Sequence, residues 1–185
     1  MPKATGEGVW LPPYITENLY ARVISYNVPV YYDGQFMAYV DALTQIGNRH
    51  ALRRDYNAYQ GHEVTVAMMD MDDFKRINDT RGHEEGDRVL QEVGKLLSDT
   101  FGKEYCYRYG GDEFLLIVPD ISISEFNEKL GTLEPNGPAI DDTARAGFSV
   151  GFVRAMLTDS DMLRNLIARA DEKMYESKRE KNRVG

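Results

Sequence analysis

Apolar residues recur at strand and helix spacings through most of this chain and divide it into regular elements. Strands are predicted where apolar, often β-branched residues run together or alternate with polar ones: at about 63–70, in a hairpin over 105–118, and at about 145–155. Helices are predicted where apolar residues recur every three or four positions: at about 48–59, 73–80, 84–101, 122–131 and 161–178. The order βααββαβα from residue 63 onward predicts an α+β fold, in which helices cover an antiparallel sheet.

The ends of these elements have local signals. Asn48 is placed to cap the first helix, and Ser122 or Ser124 to begin the fourth. Residues 133–142 contain two prolines, a glycine and two aspartates, and are predicted to form a loop.

Residues 1–40 differ in kind from the rest, so we divide the chain into an extension, 1–40, and a main domain, 41–185. The extension carries Pro12, Pro13 and Pro29 and is rich in tyrosine. A short helix is expected around 19–24 and a small hairpin over 30–36. Two roles stay open for this segment: the tail or linker of a regulatory module, or a dimer contact.

Composition excludes several classes of protein. The net charge of −8 leaves no broad basic surface for DNA or RNA, so no nucleic-acid partner is expected. The single cysteine, Cys106, excludes an internal disulfide and lies in an apolar strand, where a buried thiol is expected. There is neither a run of about 18 apolar residues nor an apolar signal sequence, so neither a membrane helix nor export is expected.

The run Arg108-Tyr109-Gly110-Gly111-Asp112-Glu113-Phe114 lies at the tip of the predicted hairpin. Two adjacent glycines indicate a tight turn with positive φ, which glycine adopts at no steric cost. A backbone without side chains next to two carboxylates suits a phosphorylated ligand and a hard cation. An ordinary surface turn would have the same local sequence.

A second cluster of polar residues follows the apolar strand at 63–70. Asp70, Asp72 and Asp73 come at its end, a common placement for a metal site. A solvated helix N-terminus would account for Asp72 and Asp73. A helix N-terminus would not account for the polar residues that follow at spacings that could line one cleft. These residues are Lys75, Asn78, His83 and Asp87.

Five blocks in this order resemble the GGDEF domain, the catalytic domain of diguanylate cyclases. They are Asp41-Ala42-Leu43-Thr44 with Asn48-Arg49, the stretch from Asp70 to Asp79, Gly82-His83, Gly86-Asp87, and Gly110-Gly111-Asp112-Glu113-Phe114. The resemblance covers about residues 41–180. It implies a ferredoxin-like βααββαβ core and makes 41–185 the catalytic domain.

The resemblance also implies roles for individual residues. Asp70, Asp112 and the carbonyl of Met71 would bind Mg²⁺ or Mn²⁺. Asp112, Glu113 and Lys75 would be catalytic, and GTP would contact the set Phe74, Asn78, His83, Asp87, Gly110, Gly111 and Lys178. Asp87 favours guanine over adenine, because a carboxylate accepts from both the N1–H and the 2-amino group.

The implied activity is the condensation of two GTP into cyclic di-GMP, with release of two pyrophosphates. Each site holds one GTP, so turnover requires a two-fold homodimer. An upstream sensory or receiver module is expected in a full-length protein, and the bacterial cytoplasm is the expected location. Three alternatives stay open: a catalytically silent GTP-binding regulator, a related nucleotidyl cyclase with another product, and a structural interaction domain.

Three departures from the family pattern bear on these alternatives. Phe101-Gly102-Lys103-Glu104 lacks the Arg and Asp of the usual inhibitory site, so product inhibition is expected to be absent. The usual Gly-Arg-Asn after Lys178 is shortened to Lys181-Asn182-Arg183, where Lys181 could replace a phosphate contact. Gln45 stands where glycine is usual, and we expect it to be tolerated.

Overall fold

The structure is a computed structural model that describes residues 9–10, 26–32, 35–141 and 144–184. Its strands are β1 (Val9–Trp10), β2 (Tyr26–Tyr32), β3 (Gln35–Asp41), β4 (Glu63–Met71), β5 (Cys106–Arg108), β6 (Glu113–Pro119) and β7 (Phe148–Met156). Its helices are α1 (Arg49–Asp55), α2 (Phe74–Arg81), α3 (His83–Phe101), α4 (Ile123–Gly131), α5 (Leu133–Asn136) and α6 (Ser160–Val184). Short 3₁₀ turns follow α1 at Tyr56–Tyr59 and precede β5 at Lys103–Tyr105.

The main sheet has the strand order β5-β6-β4-β7, with every neighbouring pair antiparallel. Strand β4 lies between β6 and β7, and every residue of it after Glu63 is buried. Alternate β4 side chains enter two separate cores, because successive residues of a strand face opposite ways. Met69 and Met71 pack towards α3 and α4, whereas Val66 and Met68 pack towards α1 and α6. The predicted α+β fold with a helix-covered antiparallel sheet is therefore confirmed.

The predicted elements are present, with altered ends. Asn48 caps α1 as predicted, its side chain accepting from the amides of His50 (2.9 Å) and Ala51 (3.1 Å). Ser122 caps α4 by accepting from the amide of Glu125 at 3.1 Å. The free thiol of Cys106 is buried, as expected, and burial raises its pKa to about 12.

Three predicted boundaries were wrong. The segment 133–142 is not wholly a loop, because α5 occupies its first four residues. Strand β7 begins at Phe148 rather than at residue 145, since Arg145 instead bridges Ala139 and donates to the carbonyl of Gly137. Helix α6 continues past Lys178 to Val184.

In the extension, β1, β2 and β3 form a three-stranded antiparallel sheet. The predicted hairpin over 30–36 is part of a longer β2–β3 pair, while the predicted helix at 19–24 lies outside the described residues. After β3, Gly47 bridges both Val40 and Tyr107, so the chain enters the main domain along β5. The boundary at residue 40 stays a prediction. Within the described ranges, no helix is long and apolar enough to cross a membrane.

Candidate active site

Strand pairing brings the two predicted acidic loops together at one end of the central strands. Asp70, near the end of β4, lies opposite Glu113 on β6 and opposite Ser149 on β7. The amide of Met71 donates to the carbonyl of Asp112 at 3.2 Å. Asp70 is only 8% exposed, whereas Asp112 and Glu113 are half-buried. Three carboxylates, from β4, from β6 and from the turn before β6, therefore share one small region.

The turn between β5 and β6 is closed by backbone hydrogen bonds and braced by arginine. The amides of Tyr109 and Gly110 both donate to the carbonyl of Glu113, at 2.8 and 3.1 Å. Arg108 donates to the carbonyl of Gly111 through Nε (3.2 Å) and Nη2 (2.8 Å). Arg49 donates to the carbonyl of Tyr109 and stacks 4.2 Å from the centre of its ring. The conformation of the turn is thus fixed by groups outside it as well as within it.

The two glycines of this turn differ in their surroundings. Neither Gly110 nor Gly111 has positive φ, so that expectation was wrong. Gly110 is constrained by its neighbour, because a Cβ there would lie 2.2 Å from Oε2 of Glu113. A Cβ on Gly111 would meet nothing within 4 Å. Gly110 therefore makes room for the Glu113 carboxylate, and Gly111 leaves open backbone.

Crowding of the acids changes their ionisation. Burial, and next the charge of Asp70, raise the pKa of Asp112 above its ordinary value. Burial likewise raises the pKa of Glu113, with further contributions from Asp70, Asp112 and Asp171. Because repulsion between the carboxylates contributes to both shifts, the site has an excess of negative charge that a cation would relieve.

Two lysines of α6 reach this end of the sheet. Lys178 donates to Oδ1 of Asp70 at 2.5 Å. Burial alone would lower the pKa of Lys178, but the hydrogen bond and charge of Asp70 outweigh burial and raise it. Lys181 donates to Asp72 (2.9 Å), to Glu134 (3.0 Å) and to the carbonyl of Phe148 (2.7 Å).

Asp72 thereby has hydrogen-bond partners different from those of Asp70. Its Oδ1 accepts from the buried hydroxyl of Ser149 at 2.5 Å, while its Oδ2 accepts from Lys181. The neighbouring Asp73 occupies the N-cap position of α2 with φ of 56°, and its side chain makes no capping hydrogen bond. Asp72 therefore anchors α6 to the β4–α2 loop rather than acting as a solvated helix-start residue.

The donors at this end of β4 fit a hard divalent cation. Asp70 and Asp112 offer carboxylate oxygens, and the carbonyl of Met71 follows Asp70 directly. Across the described ranges, no three side chains of the His, Cys, Asp and Glu types come together as a complete metal site. Mg²⁺ suits such a partial set, since it commonly takes one or two protein carboxylates and completes its shell with water and substrate phosphate.

The predicted nucleotide-contacting residues of α2 and α3 form a second group. Asn78 packs on Gly86, where a Cβ would lie 2.0 Å from Oδ1 of Asn78 and 3.3 Å from Cζ of Phe74. The next residue, Asp87, is exposed, and Asn78 is half-buried. Asn78 on α2 therefore lies against α3 at Gly86, the residue before Asp87, with Phe74 beside it. His83, at the start of α3, and Lys75, in the first turn of α2, are both exposed.

Several residues near the site were not predicted from sequence. Arg108 forms an ion pair with Asp41 (3.0 Å), and Asp41 also accepts from the amide and hydroxyl of Thr44, both at 2.9 Å. Arg49 and Asp171 lie close enough to Glu113 to affect its pKa. The sequence could have indicated Asp171 as a site residue. It stands seven residues before Lys178, two helical turns away, and therefore lies on the same side of α6.

Two departures from the family pattern also have a structural basis. Gln45 has φ of 61°, a left-handed conformation that explains why glycine is usual there. Phe101 is a core residue, 6% exposed, with its ring 5.4 Å from that of Phe126. In this chain the first position of the usual inhibitory site is therefore occupied by a core phenylalanine.

A cleft of about 660 Å³ lies elsewhere, between α1 and β5. Its lining includes Arg54, Tyr59, Lys103 and Tyr107 but none of the predicted site residues. The acidic site is therefore separate from this cleft.

Comparison with known proteins agrees with this arrangement. The family described as "Diguanylate cyclase, GGDEF domain" matches residues 38–183. Diguanylate cyclase VdcA of Vibrio cholerae is 35% identical over 152 residues, which cover 76% of this chain and 44% of VdcA. Response regulator PleD of Caulobacter vibrioides is 31% identical over 155 residues, covering 77% of this chain and 34% of PleD. The chain thus spans less than half the length of these relatives.

Solved structures are similar as well. Diguanylate cyclase SiaD of Pseudomonas aeruginosa, in complex with its activator SiaC, superposes with a TM-score of 0.63 at 31% identity, covering 76% of this chain and 58% of SiaD. The GGDEF domain of DgcB from Caulobacter crescentus, in complex with c-di-GMP, gives 0.63 at 26% identity, covering 78% of this chain and 92% of that domain. The extent of the family match and the identity to VdcA place this chain in the GGDEF domain family of diguanylate cyclases.

Proposed function

We propose that this chain condenses two GTP molecules into cyclic di-GMP with release of two pyrophosphates. One observation carries the proposal: the strand register brings Asp70 together with Asp112 and Glu113, beside a turn whose two central residues have no side chain. A triphosphate can approach the backbone of such a turn closely, since no side chain stands in the way. The neighbouring acids would hold the cations that neutralise the triphosphate. The activity named for VdcA and the c-di-GMP bound by the DgcB domain support the same reading.

Substrate binding is assigned to the group on α2 and α3. Asn78 and Asp87 pair with the edge of guanine, where the carboxylate accepts from two neighbouring N–H groups that adenine lacks. Phe74 and His83 border the base. Lys75 and Lys178 supply positive charge to the phosphates, which an acidic protein must provide locally.

The chemical step is attack of a ribose 3′-hydroxyl on the α-phosphorus of a second GTP, with pyrophosphate leaving in line. Asp112 and Glu113, at the β5–β6 turn, are the carboxylates proposed to accept the proton of the attacking hydroxyl. Lys75 stabilises the charge that develops on the transferring phosphate. Positioning and charge stabilisation account for most of the rate gain expected in phosphoryl transfer.

The residues proposed to hold the metal are Asp70, Asp112 and the carbonyl of Met71. A bound Mg²⁺ or Mn²⁺ supplies neutralisation of the triphosphate and acidification of the attacking hydroxyl.

Turnover requires two copies of the site. Each copy binds one GTP and presents its 3′-hydroxyl to the α-phosphate held by the other, so the two meet about a two-fold axis. We propose that an upstream sensory or receiver module brings the copies together in a longer, cytoplasmic bacterial protein, with residues 1–40 as the linker. Without that module the effective concentration of the second site is low, and the rate should rise steeply with protein concentration.

The test is to incubate the chain with GTP and Mg²⁺ or Mn²⁺ at several protein concentrations and to detect cyclic di-GMP by mass spectrometry. Product is expected at high concentration, and Asp112→Ala is expected to remove it. An absence of product even after forced dimerisation, with GTP binding retained, would favour the silent GTP-binding regulator. With ATP supplied alongside GTP, formation of an adenine-containing cyclic product at a comparable rate would overturn the role of Asp87.

A further inference from the structure

The proposed metal ligand Asp70 already has a cation beside it. Lys178 Nζ lies 2.5 Å from Oδ1 of Asp70. The Asp70 side chain is 12% exposed, and that of Lys178 is 34% exposed. The backbone of Asp70 is fixed by pairing on both sides, with Glu113 and Ser149. Of the two partners, the lysine on its flexible four-carbon stem is the one that can move.

Negative charges outnumber positive ones around the Asp70–Lys178 pair. Asp70, Asp112 and Glu113 crowd at one end of the sheet, and Lys178 donates its hydrogen bond to the most buried of them. One turn further along α6, Lys181 ties the helix to Asp72, Glu134 and β7. The contacts of Lys181 hold this part of α6 against the sheet and so keep Lys178 within reach of Asp70. The flexible side chain of Lys178 still allows its ammonium group to move towards an anion.

We propose that Lys178 acts as the counter-ion of Asp70 in the nucleotide-free protein and leaves it for the triphosphate when substrate binds. A metal ion arriving alone must then compete with Lys178 for Asp70. A metal ion arriving with nucleotide does not, because the phosphates take the ammonium group. Lys178 thereby couples metal binding to nucleotide binding, and coupling of this kind is reciprocal. The identity of the nucleotide rests on the proposed function, whereas the competition at Asp70 does not.

The experiment measures Mn²⁺ binding without nucleotide, by electron paramagnetic resonance at low ionic strength on the whole chain. Lys178→Met removes the charge and keeps much of the stem, and it is expected to bind Mn²⁺ about tenfold more tightly than the wild type, because one nearby positive charge is lost. Lys178→Gln should behave in the same way if the methionine variant folds poorly. Lys178→Arg retains the charge and should resemble the wild type.

A matched control lies on the same helix. Lys173 is exposed and stands five residues before Lys178, on another side of α6, so Lys173→Met removes one positive charge there and should leave Mn²⁺ affinity unchanged. Equal Mn²⁺ affinity in the wild type and both neutral Lys178 variants, with binding lost in Asp70→Asn, would overturn the counter-ion role and leave the metal site standing. Mn²⁺ binding that is indifferent to Asp70→Asn would overturn both the counter-ion role and the metal assignment.

Discussion

Replacing Gly110 by alanine should separate catalysis from stability in this domain. The added Cβ would lie 2.2 Å from Oε2 of Glu113, 3.1 Å from its Cδ and 3.3 Å from its Cβ. Real Cβ contacts do not fall below 3.0 Å, so the carboxylate must withdraw by about 0.8 Å. Misplacing a reacting group by about 1 Å can cost roughly 100-fold in rate. We therefore expect cyclic di-GMP formation to fall by about 10- to 100-fold.

The same substitution should barely change the free energy of unfolding. The atom that must move is the end of a flexible side chain, and an off-rotamer Glu113 costs about 0.5–1.5 kcal/mol. Alanine recovers about 0.4–1 kcal/mol by restricting the unfolded chain, since Gly110 does not use positive φ. The net change should lie within about 1 kcal/mol of zero.

The assay compares initial rates of pyrophosphate release with urea unfolding curves for the same preparations. Gly131→Ala is the matched control, because a Cβ there meets nothing within 4 Å and the residue lies at the end of α4, away from the site. Wild-type activity in Gly110→Ala would refute the idea that this glycine makes room for Glu113. A loss of more than about 3 kcal/mol of stability would refute the described geometry of the turn.

Three further predictions concern other residues. Thr65→Val should stabilise the domain by about 1 kcal/mol in urea unfolding, because within the described ranges the Thr65 hydroxyl is buried without a hydrogen-bond partner; a destabilised variant would show that the hydroxyl is satisfied. Gly86→Ala should raise the KM for GTP about tenfold with little effect on unfolding, since a Cβ would displace Asn78; an unchanged KM would remove Asn78 from the binding site. Burial alone would raise the pKa of Asp41, but Arg108 and Thr44 outweigh burial and lower it below its ordinary value. Asp41 therefore contributes stability that is present above the pKa of the unfolded state and is lost as pH falls through the pKa of the folded state. Asp41→Asn should lower the free energy of unfolding by about 2 kcal/mol at pH 7, and this difference from the wild type should disappear below about pH 4. A difference that does not depend on pH would contradict this ion pair.

Sequence pattern predicted the elements well where one residue type dominates. Strand β4 and helix α3 follow directly from an apolar run and an apolar stripe. The two acidic motifs were each recognised in the sequence, and the register of β4 and β6 places Asp70 opposite Glu113.

What the pattern missed depends on contacts between distant residues. Arg108 and Asp41 are 67 residues apart, and neither lies in a spacing that points to the other. The extension of α6 past Lys178 is accompanied by three contacts of Lys181, each with a different part of the chain. The close contact between Gly110 and Glu113 was not predicted, because it depends on the direction of the Glu113 side chain, which no local propensity encodes.

The central position of β4 has a consequence for how the protein is made. Its partners β6 and β7 both follow it in the sequence, and Lys178 lies 108 residues after Asp70. Non-local pairings of this kind form slowly, because long loops must close before the contacts stabilise them. Because Lys178 is synthesised after Asp70, Asp112 and Glu113, the contact between Lys178 and Asp70 can form only once α6 has left the ribosome.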